Sequence, residues 1–270
     1  MDNRPIGVFD SGLGGLTAVR ELCKILPNES IVYFGDTGRI PYGTRGRDTI
    51  IKYAEQDIAF LLTKDVKYIM AACGTVSSTF PKEKSAALPV PYIGVVNSAA
   101  KAAVAASSQG RIGILGTSAT IASNSYNKAI LEILPTAQLT ATACPLFVPL
   151  VENGYINKDN KITRLAAEEY LQEAKRANVD TLILGCTHYP LLSDILHDIM
   201  GSGVTLIDPG FCAAHSAKQE LAKSDLLSAN KTEKTVCEYY VSDNVESFKA
   251  LSKVFLKEYA GGDCRLASVD

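Results

Sequence analysis

Two short segments of this chain combine residues able to do chemistry: Ala72-Cys73-Gly74-Thr75 and Gly185-Cys186-Thr187-His188. In each, a thiol is followed within two residues by a threonine, and each follows an apolar run rich in β-formers, Val66-Lys67-Tyr68-Ile69-Met70 or Thr181-Leu182-Ile183-Leu184. A helix can start after each. Both thiols should then sit at the carboxyl ends of parallel strands, where open α/β sheets place their active sites. A free thiol titrates near 8.5, and a helix N-terminus favours the thiolate, so a modest downward shift would make each a usable base. Two such units at positions 73 and 186 suggest two facing thiols rather than one nucleophile. Thr75 and Thr187 can donate hydroxyl hydrogen bonds to an anion across the strand ends, where backbone N–H groups suit a carboxylate.

Other polar residues stand beside similar strand ends. His188 can donate a proton or fix an anion from the turn after its strand, with helix capping as the competing role. His197 and His215 fall in helical patterns and read as structural or exposed. In Asp10-Ser11-Gly12 the carboxylate could receive a substrate ammonium group, orient Cys73 or act as a base. An N-cap or Asx turn is the simpler alternative. The glycines of Ser11-Gly12-Leu13-Gly14-Gly15 match neither GxGxxG nor the Walker pattern, which leaves nucleotide binding a weak second choice. Asp36-Thr37-Gly38-Arg39-Ile40-Pro41-Tyr42-Gly43 can offer backbone N–H groups and a tyrosine wall to a small ligand, or be only a tight turn. Glu152, after the apolar run Val148-Pro149-Leu150-Val151, reads by itself as a solvated helix-end residue.

The elements that must position these residues alternate along the chain. Strands are expected at 6–9, 31–34, 67–71, 92–95, 111–115, 138–142, 181–184, 204–207 and 236–241, with helices over 16–26 and 47–62. Short apolar runs alternating with amphipathic helices predict an α/β fold with mainly parallel sheets covered on both faces. Ile6-Gly7-Val8-Phe9-Asp10-Ser11 is echoed by Ile112-Gly113-Ile114-Leu115-Gly116-Thr117-Ser118, and a cysteine follows each at comparable spacing. The echo suggests two similar open-sheet domains related by a pseudo-twofold, 1–97 plus 208–270 and 98–207, with the active site in the cleft between them. Chance recurrence of strand–loop motifs is the alternative.

Composition narrows the functional classes. The chain has 270 residues, 47% hydrophobic and 21% charged, with a formal net charge of −2. It lacks the long basic face of a nucleic-acid binder, and no apolar run approaches a membrane span. Met1-Asp2-Asn3-Arg4 leads straight into a strand without a signal peptide, which points to the cytoplasm. Seven cysteines, odd in number and widely spread, argue against a disulfide framework, and no CxxC or HxxxH spacing suggests a structural metal.

Phe9-Asp10-Ser11-Gly12-Leu13-Gly14-Gly15, Pro41-Tyr42-Gly43, Ala72-Cys73-Gly74-Thr75, Val151-Glu152 and Gly185-Cys186-Thr187-His188-Tyr189-Pro190 resemble, in order, the glutamate racemases of the aspartate/glutamate racemase family. The resemblance implies a cofactor-independent enzyme that interconverts L- and D-glutamate, the latter for peptidoglycan, with substrate enclosed between two domains and usually a homodimer. It implies Cys73 and Cys186 as acid/bases on opposite faces of Cα, acting on D- and L-glutamate respectively. Asp10 and His188 would assist them, Glu152 would support His188, and Ser11, Pro41, Tyr42, Gly43, Gly74, Thr75 and Thr187 would bind substrate. One departure is visible: Gly74 stands where the family pattern most often has Asn, whose contact with the amino-acid end must be lost, replaced by water or supplied elsewhere. The chain also begins shortly before its first strand, without the extension linked to activation by a cell-wall precursor in some members, so an unactivated enzyme is expected. A racemase of aspartate or a hydantoin, a non-catalytic small-anion or nucleotide binder, and a one-thiol hydrolase using Cys186 and His188 remain the alternatives.

Overall fold

The computed structural model describes residues 1–229 and 235–269. Among these, ten strands form two open, wholly parallel sheets. In chain order they are β1 (Ile6–Asp10), β2 (Ser30–Gly35), β3 (Tyr68–Ala71), β4 (Tyr92–Gly94), β5 (Arg111–Gly116), β6 (Gln138–Ala143), β7 (Thr181–Leu184), β8 (Thr205–Ile207), β9 (Val236–Val241) and β10 (Asp263–Leu266). The first sheet runs β10-β9-β2-β1-β3-β4 and the second β6-β5-β7-β8.

The internal echo has a topological counterpart. Both sheets contain the order second-first-third-fourth, with β1 and β5 in the corresponding place. Phe9 of β1 pairs with Ala71 of β3, and its echo Leu115 of β5 pairs with Leu184 of β7. Cys73 lies two residues beyond Ala71 and Cys186 two beyond Leu184, so the thiols occupy equivalent positions.

Side-chain alternation divides each strand between two layers. Ile31 and Tyr33 of β2, with Tyr68 and Met70 of β3, face the helices Leu16–Ile25 and Pro209–Lys223, whereas Val32, Phe34, Ile69 and Ala71 face the helix Arg47–Leu62. That last helix presents Ile50, Ala54, Ile58 and Leu61 along one side. Burial of each of its large aliphatic side chains contributes about 1.5–3 kcal/mol. One apolar cluster runs from Val8 and Met70 of the first sheet to Leu115, Leu182 and Leu184 of the second. No helix among the described residues is long and apolar enough to cross a membrane.

Most strands expected from sequence are present within a residue or two. Position 95 differs: Gly94 ends β4, and Val95 already opens the helix Val95–Ala106. β10 had no counterpart in the sequence reading, because it is a four-residue edge strand of mixed polarity with Asp263, Arg265 and Leu266 exposed.

Candidate active site

Asp10 closes β1, and its buried carboxylate accepts the Gly12 amide at 3.0 Å, the Asx turn that its sequence allows. Burial raises the Asp10 pKa, opposed by the charge of His188 and by the amides of Gly15 and Gly12. Beside it, Ser11 Oγ accepts the Cys73 thiol at 3.6 Å.

Cys73 caps the helix Gly74–Thr79, its Sγ accepting the Val76 amide at 3.5 Å. The cap position is the one expected, but the shift of its acidity is opposite. Burial, then the nearby charge of Asp10, pushes the Cys73 pKa up to about 12 against the hydrogen bonds from Val76 and Ser11. Six residues of helix do not overcome a desolvated site next to a carboxylate. Cys73 is therefore held as a thiol at neutral pH.

Cys186 has a different neighbour. The turn after β7, closed by Tyr189 N–H to the Cys186 carbonyl at 3.0 Å, lets side chains two residues apart converge. Cys186 Sγ lies 3.8 Å from His188 Nδ1, and His188 Nε2 lies 3.0 Å from Glu152 Oε1. Burial would depress the His188 pKa, but Cys186 and Glu152 outweigh it and raise the value to about 10. The imidazolium so held lies between the Cys186 sulfur and the Glu152 carboxylate. His188 makes no side-chain cap bond, which removes the capping alternative. Glu152, the last residue of the helix Phe147–Glu152, is only partly exposed and is spent on His188.

The two strand ends meet through glycine. A Cβ built on Gly74 would overlap the Gly185 carbonyl oxygen and lie 3.6 Å from Cys186 Cα. In this arrangement the bare position at 74 is what lets the two thiol-bearing turns touch, with no room for a side chain. A Cβ on Gly14 would overlap Thr187 Oγ1 and stand 2.5 Å from His188 Nδ1. Thr17 Oγ1 donates to the Thr187 carbonyl at 3.1 Å, and Thr75 Oγ1 lies 3.0 Å from Thr117 Oγ1.

Asp10, Ser11, Cys73, Gly74, Thr75, Cys186, Thr187, His188 and Glu152 are thus gathered in one place. Gly43 adjoins it, since a Cβ there would stand 2.8 Å from Thr117 Cβ, while Pro41 is exposed. Tyr42 is the exception. Its phenol is buried beneath the loop and contacts Asp36 and Asp57, so it forms no ligand wall and leaves the segment 41–43 to act through backbone. Thr117 and Thr120, 3.0 Å apart hydroxyl to hydroxyl, were missed from sequence, although Thr117 is the echo of Ser11. A cavity of about 810 Å³ lined by Ser77, Ser78, Tyr92, Lys101 and Lys128 is separate, since neither thiol lines it.

The sequence profile of the Asp/Glu/Hydantoin racemase family matches residues 16–217. The chain belongs to that family. It is a racemase-type enzyme, 45% identical over 253 residues to the glutamate racemase of Chlorobaculum tepidum, with 93% of this chain and 92% of that protein covered. Among solved structures it superposes on glutamate racemase isoform RacE1 of Bacillus anthracis with a TM-score of 0.92, at 33% identity and 98% coverage of each chain. The glutamate racemase of Francisella tularensis, solved in complex with D-glutamate, gives 0.91 at 38% identity, covering 100% of this chain and 99% of that one.

Proposed function

We propose that this chain interconverts L- and D-glutamate by a two-thiol proton transfer that draws both acid and base from its own residues and needs no cofactor. The observation that carries the reading is the equivalence of Cys73 and Cys186, whose turns meet at Gly74 and Gly185. The D-glutamate held by the Francisella relative supports the choice of substrate.

In the L-to-D direction the Cys186 thiolate, beside the His188 imidazolium, takes the α-proton and becomes a thiol. The electron pair left on Cα spreads into the adjacent carboxylate. Cys73, held protonated by burial, passes its proton to the other face, giving D-glutamate and a Cys73 thiolate; the reverse reaction exchanges the roles. Glu152 keeps His188 charged, and Asp10 opposes charge on Cys73, so that Cys73 keeps its proton until the carbanion forms to take it. The hydroxyls of Ser11, Thr75, Thr117 and Thr187, with Gly74 and backbone groups of Pro41, Tyr42 and Gly43, hold the two carboxylates. Exclusion of water strengthens those fixed donors as charge develops. The same reading makes 1–97 with 208–270 and 98–207 the two domains around the cleft. Family resemblance extends it to a cytoplasmic homodimer supplying D-glutamate for peptidoglycan.

The test is proton NMR of L-glutamate in D2O with chiral analysis of the product. Loss of the α-proton signal with D-glutamate appearing is the expected result. Cys73→Ser and Cys186→Ser are each expected to slow racemisation by about 10²–10⁴-fold. Residual solvent exchange should persist for L-glutamate in the first variant and D-glutamate in the second. Exchange of aspartate alone would move the specificity and keep the chemistry. Silence with both amino acids would sink the reading.

A further inference from the structure

The apolar stripe of the helix Arg47–Leu62 contains one acid, Asp57, which has no solvent exposure. A second fully buried acid, Asp36, follows β2. The Tyr42 phenol and the Arg39 guanidinium stand between them. Tyr42 Oη contacts Asp36 Oδ2 and lies 3.1 Å from Asp57 Oδ2. Arg39 donates from Nε to Asp36 Oδ2 at 2.6 Å and from Nη2 to Asp57 Oδ1 at 3.0 Å. Its Nη1 donates to Gln56 Oε1 at 2.6 Å, and its guanidinium lies 4.1 Å from the Tyr53 ring centre. Ser242 Oγ donates to Asp36 Oδ1 at 2.7 Å and accepts the Gly38 amide at 2.8 Å.

Two carboxylates and one guanidinium in a dry site are costly unless every proton has an acceptor. Both acids are met by donors here. Burial, reinforced by the Asp36 charge, lifts the Asp57 pKa well above the carboxylate range, and burial likewise keeps Tyr42 a phenol. Tyr42 Oη stands as the donor between Asp36 Oδ2 and Asp57 Oδ2, and Arg39 donates to both acids. Apolar side chains would fill the space at lower cost, whereas a fully satisfied polar network fixes one geometry. What this one fixes is the turn 36–44, which carries Gly43 to Thr117 beside Thr75.

We propose that the Asp36–Arg39–Tyr42–Asp57 network holds the backbone of segment 41–43 in register as one wall of the glutamate site, making Tyr42 and Asp57 positioning residues for substrate binding. The proposal rests on the glutamate reading above for its ligand, and on the network alone for its geometry.

Tyr42→Phe removes only the hydroxyl, Asp57→Ala removes the buried acid, and Asp57→Asn keeps its shape and the oxygen that accepts from Arg39. Tyr42→Phe and Asp57→Ala are each expected to raise KM for both enantiomers about ten-fold while kcat stays within about three-fold. Asp57→Asn should stay within about two-fold of wild type, and the double variant should add nothing to either single one. Hydrogen–deuterium exchange at amides 37–44 should quicken about ten-fold or more in the same two variants. Wild-type KM and exchange in Tyr42→Phe would overturn the proposal, as would Asp57→Asn failing as badly as Asp57→Ala. If Asp57→Ala does not fold, Tyr42→Phe decides. A wild-type protein inert toward glutamate defeats the glutamate reading instead, and amide exchange then decides the network: faster at 37–44 supports it, unchanged overturns it.

Discussion

The two thiols are equivalent in topology and opposite in surroundings. Cys73 sits with a buried carboxylate, and Cys186 with an imidazolium that Glu152 supports. The His188 charge has a measurable consequence. Its folded pKa of about 10 stands above the ordinary 6.5, so the stabilisation it contributes is complete below 6.5 and is lost as pH rises through 10. His188→Asn should therefore be less stable than wild type at pH 6, and the gap should close between pH 6.5 and 10. Its kcat/KM should fall by about 10²-fold. The fall must be equal for both enantiomers, because mirror-image products fix the equilibrium constant at one. Denaturant melts across that pH range check the linkage; a gap that stays constant would mean His188 is uncharged at neutral pH. The positions of the two thiols were readable from strand-ending apolar runs. The direction of the Cys73 shift was not, because desolvation depends on Asp10 and on packing drawn from distant parts of the chain.

At the scale of elements, the site is the meeting of two strand-to-helix turns. Gly74 against Gly185, and Gly14 against Thr187 and His188, are close approaches that a side chain would prevent. Adding a methyl group at 74 sets it against backbone that clears it only if the turns part, and such overpacking of the closed arrangement costs about 1–3 kcal/mol. Because the penalty falls where the turns touch, Gly74→Ala should raise KM about ten-fold or more, each 1.4 kcal/mol being a factor of ten. Its melting temperature should change little, since the turns can part. A wild-type KM would show that the contact is not kept in the glutamate complex. Sequence pattern disclosed most of the strands because two buried faces demand continuous apolar runs, as in Ile6-Gly7-Val8-Phe9 and Thr181-Leu182-Ile183-Leu184. It disclosed neither β10, an exposed edge, nor the burial of Tyr42, whose partners Asp36 and Asp57 are brought together only by the packing of the helix Arg47–Leu62 on its sheet. Thr117 was legible in the echo of Ser11, but a threonine before a helix is so common a cap that pattern alone did not single it out.

At the scale of the molecule, enclosure and access conflict. Cys73 is 4% exposed and Cys186 8%, and one apolar cluster spans both sheets. A dry site favours the chemistry, yet the two-thiol reading brings a dicarboxylate into it, and that reading requires the two sheets to part and close again during each turnover. The helices Val95–Ala106, after β4, and Pro209–Lys223, after β8, pack on each other where the chain passes between the two sheets. Thiol labelling reads this motion directly, since a buried cysteine reacts only during opening. Cys212, Cys237 and Cys264 are partly exposed and should label first, whereas Cys73 and Cys186 should label slowly. D-glutamate, by holding the halves together, should slow the last two further and leave the first three unchanged, with peptide mass spectrometry assigning each site. Equal labelling of Cys73 and Cys186 with and without glutamate would mean that the ligand does not bind between the sheets, and closure would then have no part in the reaction.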